Sequence, residues 1–150
     1  TQSRSSAASD VYKRQTYSGH PVSCAVALKT LEIYERDKVF QHAKKVGEYF
    51  QNSIKEILKE DYVGEVRGIG LIAGIELYKD PLNKIAFEEA GKAGKILSDT
   101  CQKNGLIVRP ILDTVALCPP LIISEKEVDE LTDKLKKSLQ EAKDEIMKVH

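Results

Sequence analysis

The residues best suited to binding chemistry occupy positions 16–21, where the sequence reads TYSGHP and leads into an apolar helical pattern. Thr16 offers a hydroxyl group and Gly19 a flexible backbone, and Pro21 suits a first helical turn, where its missing N–H costs nothing. Backbone N–H groups at a helix N-terminus, with a hydroxyl beside them, bind anions such as phosphate. The segment therefore predicts either an anion site or an ordinary helix start, and the segment alone does not decide between them.

Arg109 is the second candidate for binding chemistry. It closes an apolar run at positions 106–109 that predicts a strand, and Pro110 biases its backbone toward the extended region. A guanidinium group held in this way presents a planar fork of donors that matches a carboxylate. The alternative is a surface arginine that pairs with Asp113 or with an acidic residue of a helix.

The sequence does not assemble a set of side chains for acid–base or nucleophilic catalysis. It contains neither a nucleophile elbow nor a convincing Ser/His/Asp or Cys/His arrangement. We expect Arg67 to have a structural role and Glu76 to face outward from a strand. The three histidines are scattered along the chain, so no metal site is predicted.

The composition limits the kinds of partner. The 150 residues contain 23 basic and 23 acidic side chains, so no net positive charge favours nucleic acid or an anionic membrane surface. Hydrophobic residues make up 41% of the chain, and no apolar run approaches the roughly 20 residues that span a membrane. Cys24, Cys101 and Cys118 are far apart among apolar neighbours, which predicts buried thiols in a reducing compartment. We therefore expect a globular, cytoplasmic domain.

The helical pattern starts after an unrelated leader. Residues 1–15 are rich in Ser and Ala and show neither a helical nor a strand period, so we predict an unrelated or disordered segment there. From Pro21 onward the spacing of apolar residues predicts two helices. The apolar side of the first is Cys24, Ala27, Leu28, Leu31 and Tyr34, and that of the second is Val39, Ala43, Val46, Phe50, Ile54 and Leu58.

The second half of the chain predicts a small sheet with helices. Strands are expected at 63–66 and 66–77, with Gly68 and Gly70 marking a turn or bulge near the start of the second. These glycines do not form a dinucleotide loop, because a strand-like segment follows them where that loop requires a helix.

The remaining pattern predicts a helix, two short strands and a last helix. The helix carries Ala86, Ala90, Ala93, Leu97 and Cys101 on one side and ends at residues 104–105. The strands span 106–109 and 114–118, and Ser124 with Glu127 forms a capping box for the last helix. The buried stripe of this helix is Val128, Leu131, Leu135, Leu139, Ala142 and Ile146. The order of elements predicts an α+β domain with helices packed on a mainly antiparallel sheet.

Four blocks of sequence occur in a characteristic order. They read TYSGHP at 16–21, VRGIGL at 66–71 with GIEL at 74–77, GLIVR at 105–109, and PPLII at 119–123 followed by EVDEL at 127–131. In this order, over residues 16–148, the chain resembles the C-terminal part of class III, pyridoxal-phosphate (PLP)-dependent aminotransferases, the family that includes the ω-transaminases. The resemblance implies the small C-terminal domain of the fold type I PLP-dependent transferases at 61–150, preceded by a helical segment at 16–60 that leads out of the large domain.

The resemblance implies a role for two residues. The threonine of the TYSGHP motif, here Thr16, hydrogen-bonds the PLP phosphate of the neighbouring subunit in this family, so a homodimer is expected. The arginine of the GLIVR segment, here Arg109, binds the substrate carboxylate and withdraws for apolar amines.

The chain departs from the family in two ways. Nothing in it matches the surroundings of the family's Schiff-base lysine or of the aspartate that pairs with the pyridine nitrogen, so no catalytic residue is assigned. PLP chemistry requires that lysine, and we expect a fragment that is inactive alone. The segment 115–120 also lacks an arginine typical of members acting on ornithine-like substrates. This favours an ω-amino acid or amine as donor and a keto acid such as pyruvate as acceptor.

Two alternatives stay open at this point. A stand-alone binding or regulatory module of ferredoxin-like α+β type would explain the missing lysine without a cofactor. A fragment of a class III-like aminomutase would share the same motifs.

Overall fold

The computed structural model describes residues 19–149. Within this range the order of helices and strands is the predicted one. The helices are α1 (Pro21–Arg36), α2 (Val39–Lys55), a short 3₁₀ helix (Glu56–Lys59), α3 (Lys92–Lys103) and α4 (Glu125–Ile146). The strands are β1 (Val63–Ile69), β2 (Ile72–Leu77), β3 (Arg109–Ile111) and β4 (Thr114–Leu117).

The chain divides into two compact units, Thr1–Val39 and Phe40–His150. The first unit contains α1, which begins at Pro21 as predicted. None of the residues of α1 is buried, and its apolar side chains are exposed apart from the half-buried Tyr34.

In the second unit, the four strands form one antiparallel sheet in the order β1-β2-β4-β3. Successive side chains of a strand point to opposite faces of a sheet. Ala73, Ile75 and Leu77 of β2 are buried on one face, together with Val115 and Leu117 of β4. They belong to a single core that also contains apolar residues of α2, α3 and α4. The sheet therefore has a helix-covered face and an open face.

The hairpin of β1 and β2 differs from the prediction. Arg67 and Gly68 belong to β1, whereas we expected a second strand to begin near Val66. The turn lies one step later, at Gly70, which has a φ of 56° that a glycine adopts without strain. Gly68 is an extended residue, and a side chain there would collide with the Ile72 carbonyl 2.3 Å away. Cross-strand pairing fixed this boundary, and no local pattern encodes such pairing.

The third helix starts later than predicted. Ala86 and Ala90 lie before α3, which begins at Lys92. Gly91 precedes it with a φ of 86°, a left-handed value that does not continue a helix. The first part of the predicted stripe was therefore wrong, and the rest, Ala93, Leu97 and Cys101, is buried as expected.

Two predicted stripes are largely confirmed. In α2, Val46, Phe50 and Ile54 are buried. Leu58 is 46% exposed because the chain tightens into the 3₁₀ helix after Lys55, which turns Ile57 inward instead.

Helix α4 has both predicted features. Its capping box is complete, with Ser124 accepting from the Glu127 backbone and the Glu127 carboxylate accepting from the Ser124 backbone. All residues of its predicted stripe except the half-buried Leu131 are buried.

Candidate functional site

A row of paired residues crosses the open face of the sheet and has an arginine at each end. Arg67 of β1 pairs with Gly74 of β2, Gly74 with Ala116 of β4, and Ala116 with Arg109 of β3. Directly opposite residues of antiparallel strands project to the same face. The two arginines are thus separated by three strand spacings, roughly 14 Å, over a floor of two small residues.

Arg109 stands at the edge of this row with its guanidinium unengaged. The side chain is exposed and forms no hydrogen bond or ion pair with any residue in the range 19–149 that the structure describes. It opens β3, whereas we expected it to close a strand at 106–109, and residues 106–108 are not part of the sheet. The strand begins at Arg109 because the hydrogen-bonded pairing of β3 with β4 begins only there.

The expected alternative partner of Arg109 is occupied elsewhere. The Asp113 carboxylate accepts hydrogen bonds from the backbone N–H groups of Gly91 (2.9 Å) and Gly94 (3.1 Å). Both donors lie at the start of α3. The Arg109 side chain is therefore available to an external carboxylate, and a guanidinium recognises a carboxylate with two parallel hydrogen bonds.

Arg67 is engaged, in agreement with its predicted structural role. Its Nη1 donates to Glu76 Oε2 at 2.5 Å and lies 3.6 Å from Glu65 Oε1. The hydrogen bond from Arg67 lowers the pKa of the Glu76 carboxyl group, against a smaller opposing effect of burial. Glu76 faces outward, also as predicted, on the open side of β2. The two arginines of one row thus differ in their freedom to bind a ligand.

Thr16 lies outside the described residues, and so do residues 1–15, which form the predicted leader. The described part of the TYSGHP segment includes Gly19, with a φ of 78°, and His20, the N-cap residue of α1. The His20 side chain makes no capping hydrogen bond. Within the described range, Pro21 brings no N–H group to the first turn of α1, and the His20 side chain does not cap the N–H groups of the following residues.

The other candidate groups add no site. Cys101 is buried as predicted, but Cys24 and Cys118 are exposed, because they lie on a helix without buried residues and just beyond the sheet. Between residues 19 and 149 there is no group of three or more potential metal ligands. No helix in that range is long and apolar enough to cross a membrane.

Sequence reasoning missed the roles of Asp113 and of the small residues Gly74 and Ala116. The two small residues carry a weak signal, since strands are poor in glycine unless something approaches the backbone closely. The capping role of Asp113 has no local signal, because its partners are 19 and 22 residues away.

Known proteins are similar in sequence to this chain. The model of the family "Aminotransferase class-III" matches residues 4–139. A probable γ-aminobutyrate transaminase of Oryza sativa subsp. indica is 37% identical over 131 residues, 87% of this chain and 26% of the relative. The putrescine–pyruvate aminotransferase of Pseudomonas aeruginosa is 36% identical over 133 residues, 88% of this chain and 29% of the relative.

Solved transaminase structures show the same fold. One transaminase variant superposes with a TM-score of 0.84 and 40% identity, covering 89% of this chain and 31% of that one. The ω-transaminase of Pseudomonas jessenii in complex with PMP has a TM-score of 0.82 and 36% identity, covering 87% and 29%. These matches confirm the expected α+β fold of the small C-terminal domain of fold type I PLP-dependent transferases, with helices packed on a mainly antiparallel sheet.

The matches also decide between two earlier interpretations. They favour a part of an aminotransferase over a stand-alone ferredoxin-like module. The chain spans about a quarter to three tenths of the length of these curated relatives. With the family model matching most of its length and its sheet superposing on solved transaminases, this chain belongs to the class III aminotransferase family.

Proposed function

We propose that the chain is the C-terminal part of a PLP-dependent aminotransferase that moves an amino group from an ω-amino acid or amine to a keto acid such as pyruvate. Membership of the class III family and the coverage of about a quarter of its relatives support this proposal. The observation that carries it is the unpaired guanidinium of Arg109 on the open face of the sheet.

Arg109 binds the carboxylate of the substrate in this proposal. The carboxylate of a donor or acceptor substrate accepts two parallel hydrogen bonds from the Arg109 guanidinium. No described protein group accepts these hydrogen bonds. A donor without a carboxylate leaves the guanidinium in water, where its exposed position costs little. One residue can therefore serve both substrates of a transamination.

The cofactor proposed is PLP, held in part by this chain. When bound, PLP would supply the electron sink that makes the C–H bond of the amine-bearing carbon acidic. Thr16 and the N–H groups at the start of α1 would hold its phosphate, in the partner subunit of a homodimer, and residues 16–60 would lead out of the large domain. The Schiff-base lysine belongs to a part of the protein outside this chain. A solved relative that binds PMP, the aminated form of the same cofactor, supports this assignment.

The choice of substrates is also proposed. Segment 115–120 lacks the arginine expected for ornithine-like donors, and relatives are named for γ-aminobutyrate and for putrescine with pyruvate. We infer a cytoplasmic location from the three separated cysteines alone. The aminomutase alternative would conserve the amino group within one molecule, so transfer to added pyruvate distinguishes the two reactions.

Replacing Arg109 tests the proposal. In the full-length aminotransferase that carries this chain, Arg109→Ala should raise the KM for β-alanine about 10- to 100-fold, because a charge-assisted bidentate contact is lost. The KM for putrescine, which has no carboxylate, should stay within about twofold. Without keto acid the enzyme completes only the donor half-reaction, so each value is read as the donor concentration that half-saturates the single-turnover rate, and the carboxylate of pyruvate does not contribute.

Arg67→Ala is the matched control, since it removes the arginine at the other end of the same row. It should lower stability through the loss of its pair with Glu76 and change both KM values equally. An Arg109→Ala enzyme with the same loss for β-alanine and putrescine would refute the role of Arg109.

A further inference from the structure

The tip of the β3–β4 hairpin is fastened to the start of α3. Besides the two hydrogen bonds that its carboxylate accepts from α3, Asp113 accepts a backbone hydrogen bond from Leu77 N–H at 2.9 Å. A negative charge at a helix N-terminus is stabilised by the free N–H groups and by the helix dipole. One residue thus ties the hairpin both to a helix and to the neighbouring strand.

The contact also fits closely in shape. Leu112, beside Asp113, has a φ of 53°, a strained value for a leucine. A Cβ atom on Gly94 would lie 2.0 Å from the Leu112 carbonyl oxygen, so only glycine lets the hairpin tip approach α3 this closely. A strained conformation persists only where its surroundings fix it. The position of the hairpin tip is therefore determined by α3.

Arg109 belongs to the same hairpin. The ladder runs from the tip through Ile111 and Thr114 to Arg109 and Ala116, so a shift of the tip is transmitted to the arginine. The Asp113 carboxylate, which could otherwise pair with the guanidinium, is held by the N–H groups of Gly91 and Gly94.

We propose that Asp113 is a positioning residue for substrate recognition: by capping α3 from another element, it sets the place of Arg109 and keeps itself from pairing with that arginine. This inference rests on the proposed function of Arg109. The positioning role means that specificity for carboxylate-bearing substrates depends on the Asp113 cap of α3 as well as on Arg109.

The test compares graded variants in the full-length aminotransferase. Asp113→Asn keeps one acceptor oxygen and Asp113→Ala keeps none, so the KM for β-alanine should rise a few-fold in the first and about tenfold in the second. The KM for putrescine should change less than about twofold in both. Asp99→Asn is the matched control, because Asp99 is an exposed residue of α3 whose one ion pair among residues 19–149 is with Lys95.

Two further measurements cover the case of a variant that fails to fold. Gly94→Ala keeps Asp113 but displaces the tip, and it should show the same selective loss for β-alanine. In the full-length aminotransferase, amide hydrogen exchange should show less protection at Gly91 and Gly94 in Asp113→Asn than in the unchanged protein.

The outcomes separate the two proposals. A selective loss in Arg109→Ala with equal losses for both donors in the Asp113 and Gly94 variants would overturn the positioning role alone. No selective loss in Arg109→Ala would overturn the proposed function of Arg109 and, with it, the positioning role.

Discussion

At the scale of residues, the two ends of the arginine row differ because of the carboxylates around them. Glu76 and Glu65 face the same side of the sheet as Arg67 and fix its guanidinium. Near Arg109 the one carboxylate of the hairpin, that of Asp113, is bound to backbone N–H groups. The sequence favoured a structural role for Arg67 and a binding role for Arg109, and the pairing of carboxylates gives the physical reason for the difference.

The Glu76 carboxyl group should contribute to acid sensitivity. Its pKa is lowered from 4.5, chiefly by the hydrogen bond from Arg67. A lowered pKa in the folded state gives stability that is present above the ordinary pKa and is lost as the pH falls through the folded value. Glu76→Gln should therefore lower the free energy of unfolding at neutral pH by less than about 1 kcal/mol, as for surface pairs, and make it less dependent on pH below 4.5.

Urea unfolding of the 150-residue chain between neutral and acid pH measures this effect. Glu48→Gln is the control, since Glu48 is an exposed residue without an ion pair among the described residues. Parallel pH profiles for Glu76→Gln and the unchanged chain would show that the pair with Arg67 contributes nothing to stability.

At the scale of elements, local patterns predicted the helices well where local interactions define them. The capping box and stripe of α4 depend on residues three and four apart, and both were confirmed. The start of α3 depends on Gly91 and on a cap supplied by Asp113, which no periodicity contains. Likewise the limits of β1, β2 and β3 depend on register between strands, so Arg109 was placed at the wrong end of its strand.

The hairpin tip offers a prediction about strain. Leu112 has a φ of 53°, where a leucine is about 1–2 kcal/mol less stable than in its preferred regions. Asparagine tolerates this conformation, and the Leu112 side chain is 69% exposed, so little packing is lost. Leu112→Asn should thus raise the free energy of unfolding by about 0.5–1 kcal/mol, measured by urea unfolding.

Leu82→Asn serves as the control, because Leu82 is 96% exposed and does not have a positive φ. It should leave stability within about 0.5 kcal/mol. If Leu112→Asn behaves like Leu82→Asn, the strain at the tip is too small to matter.

At the scale of the whole molecule, the connected hydrophobic cluster of the described chain runs from Val46 to Val149. Most apolar residues of α1 are exposed, although the sequence pattern resembles that of a packed helix. Composition and periodicity could predict that α1 is amphipathic but not which surface covers it. The resemblance to the family predicted the fold correctly, because the order of its motifs reflects contacts between different helices and strands.

The chain alone should not transfer amino groups. It contains the proposed carboxylate-binding residue Arg109 but no lysine in the surroundings that the family requires for PLP, so added PLP should give no transfer from β-alanine to pyruvate. Alanine formation by the purified 150-residue chain, followed by chromatography, measures this. A complete class III aminotransferase is the positive control. Turnover by the 150-residue chain at a comparable rate would contradict the proposal that the chain is an inactive part of such an enzyme.

The strand at the edge of the sheet limits how such a molecule can associate. β3 is three residues long and has Pro110 at its centre. Because proline has no backbone N–H, the middle of this edge strand cannot donate a hydrogen bond to an added strand. At the other edge, the register of β1 is irregular between Val63 and Glu65. Neither edge is a good template for sheet growth. Association of two copies by strand pairing is therefore disfavoured at both edges of the described sheet, so this part of the chain is protected against edge-to-edge aggregation.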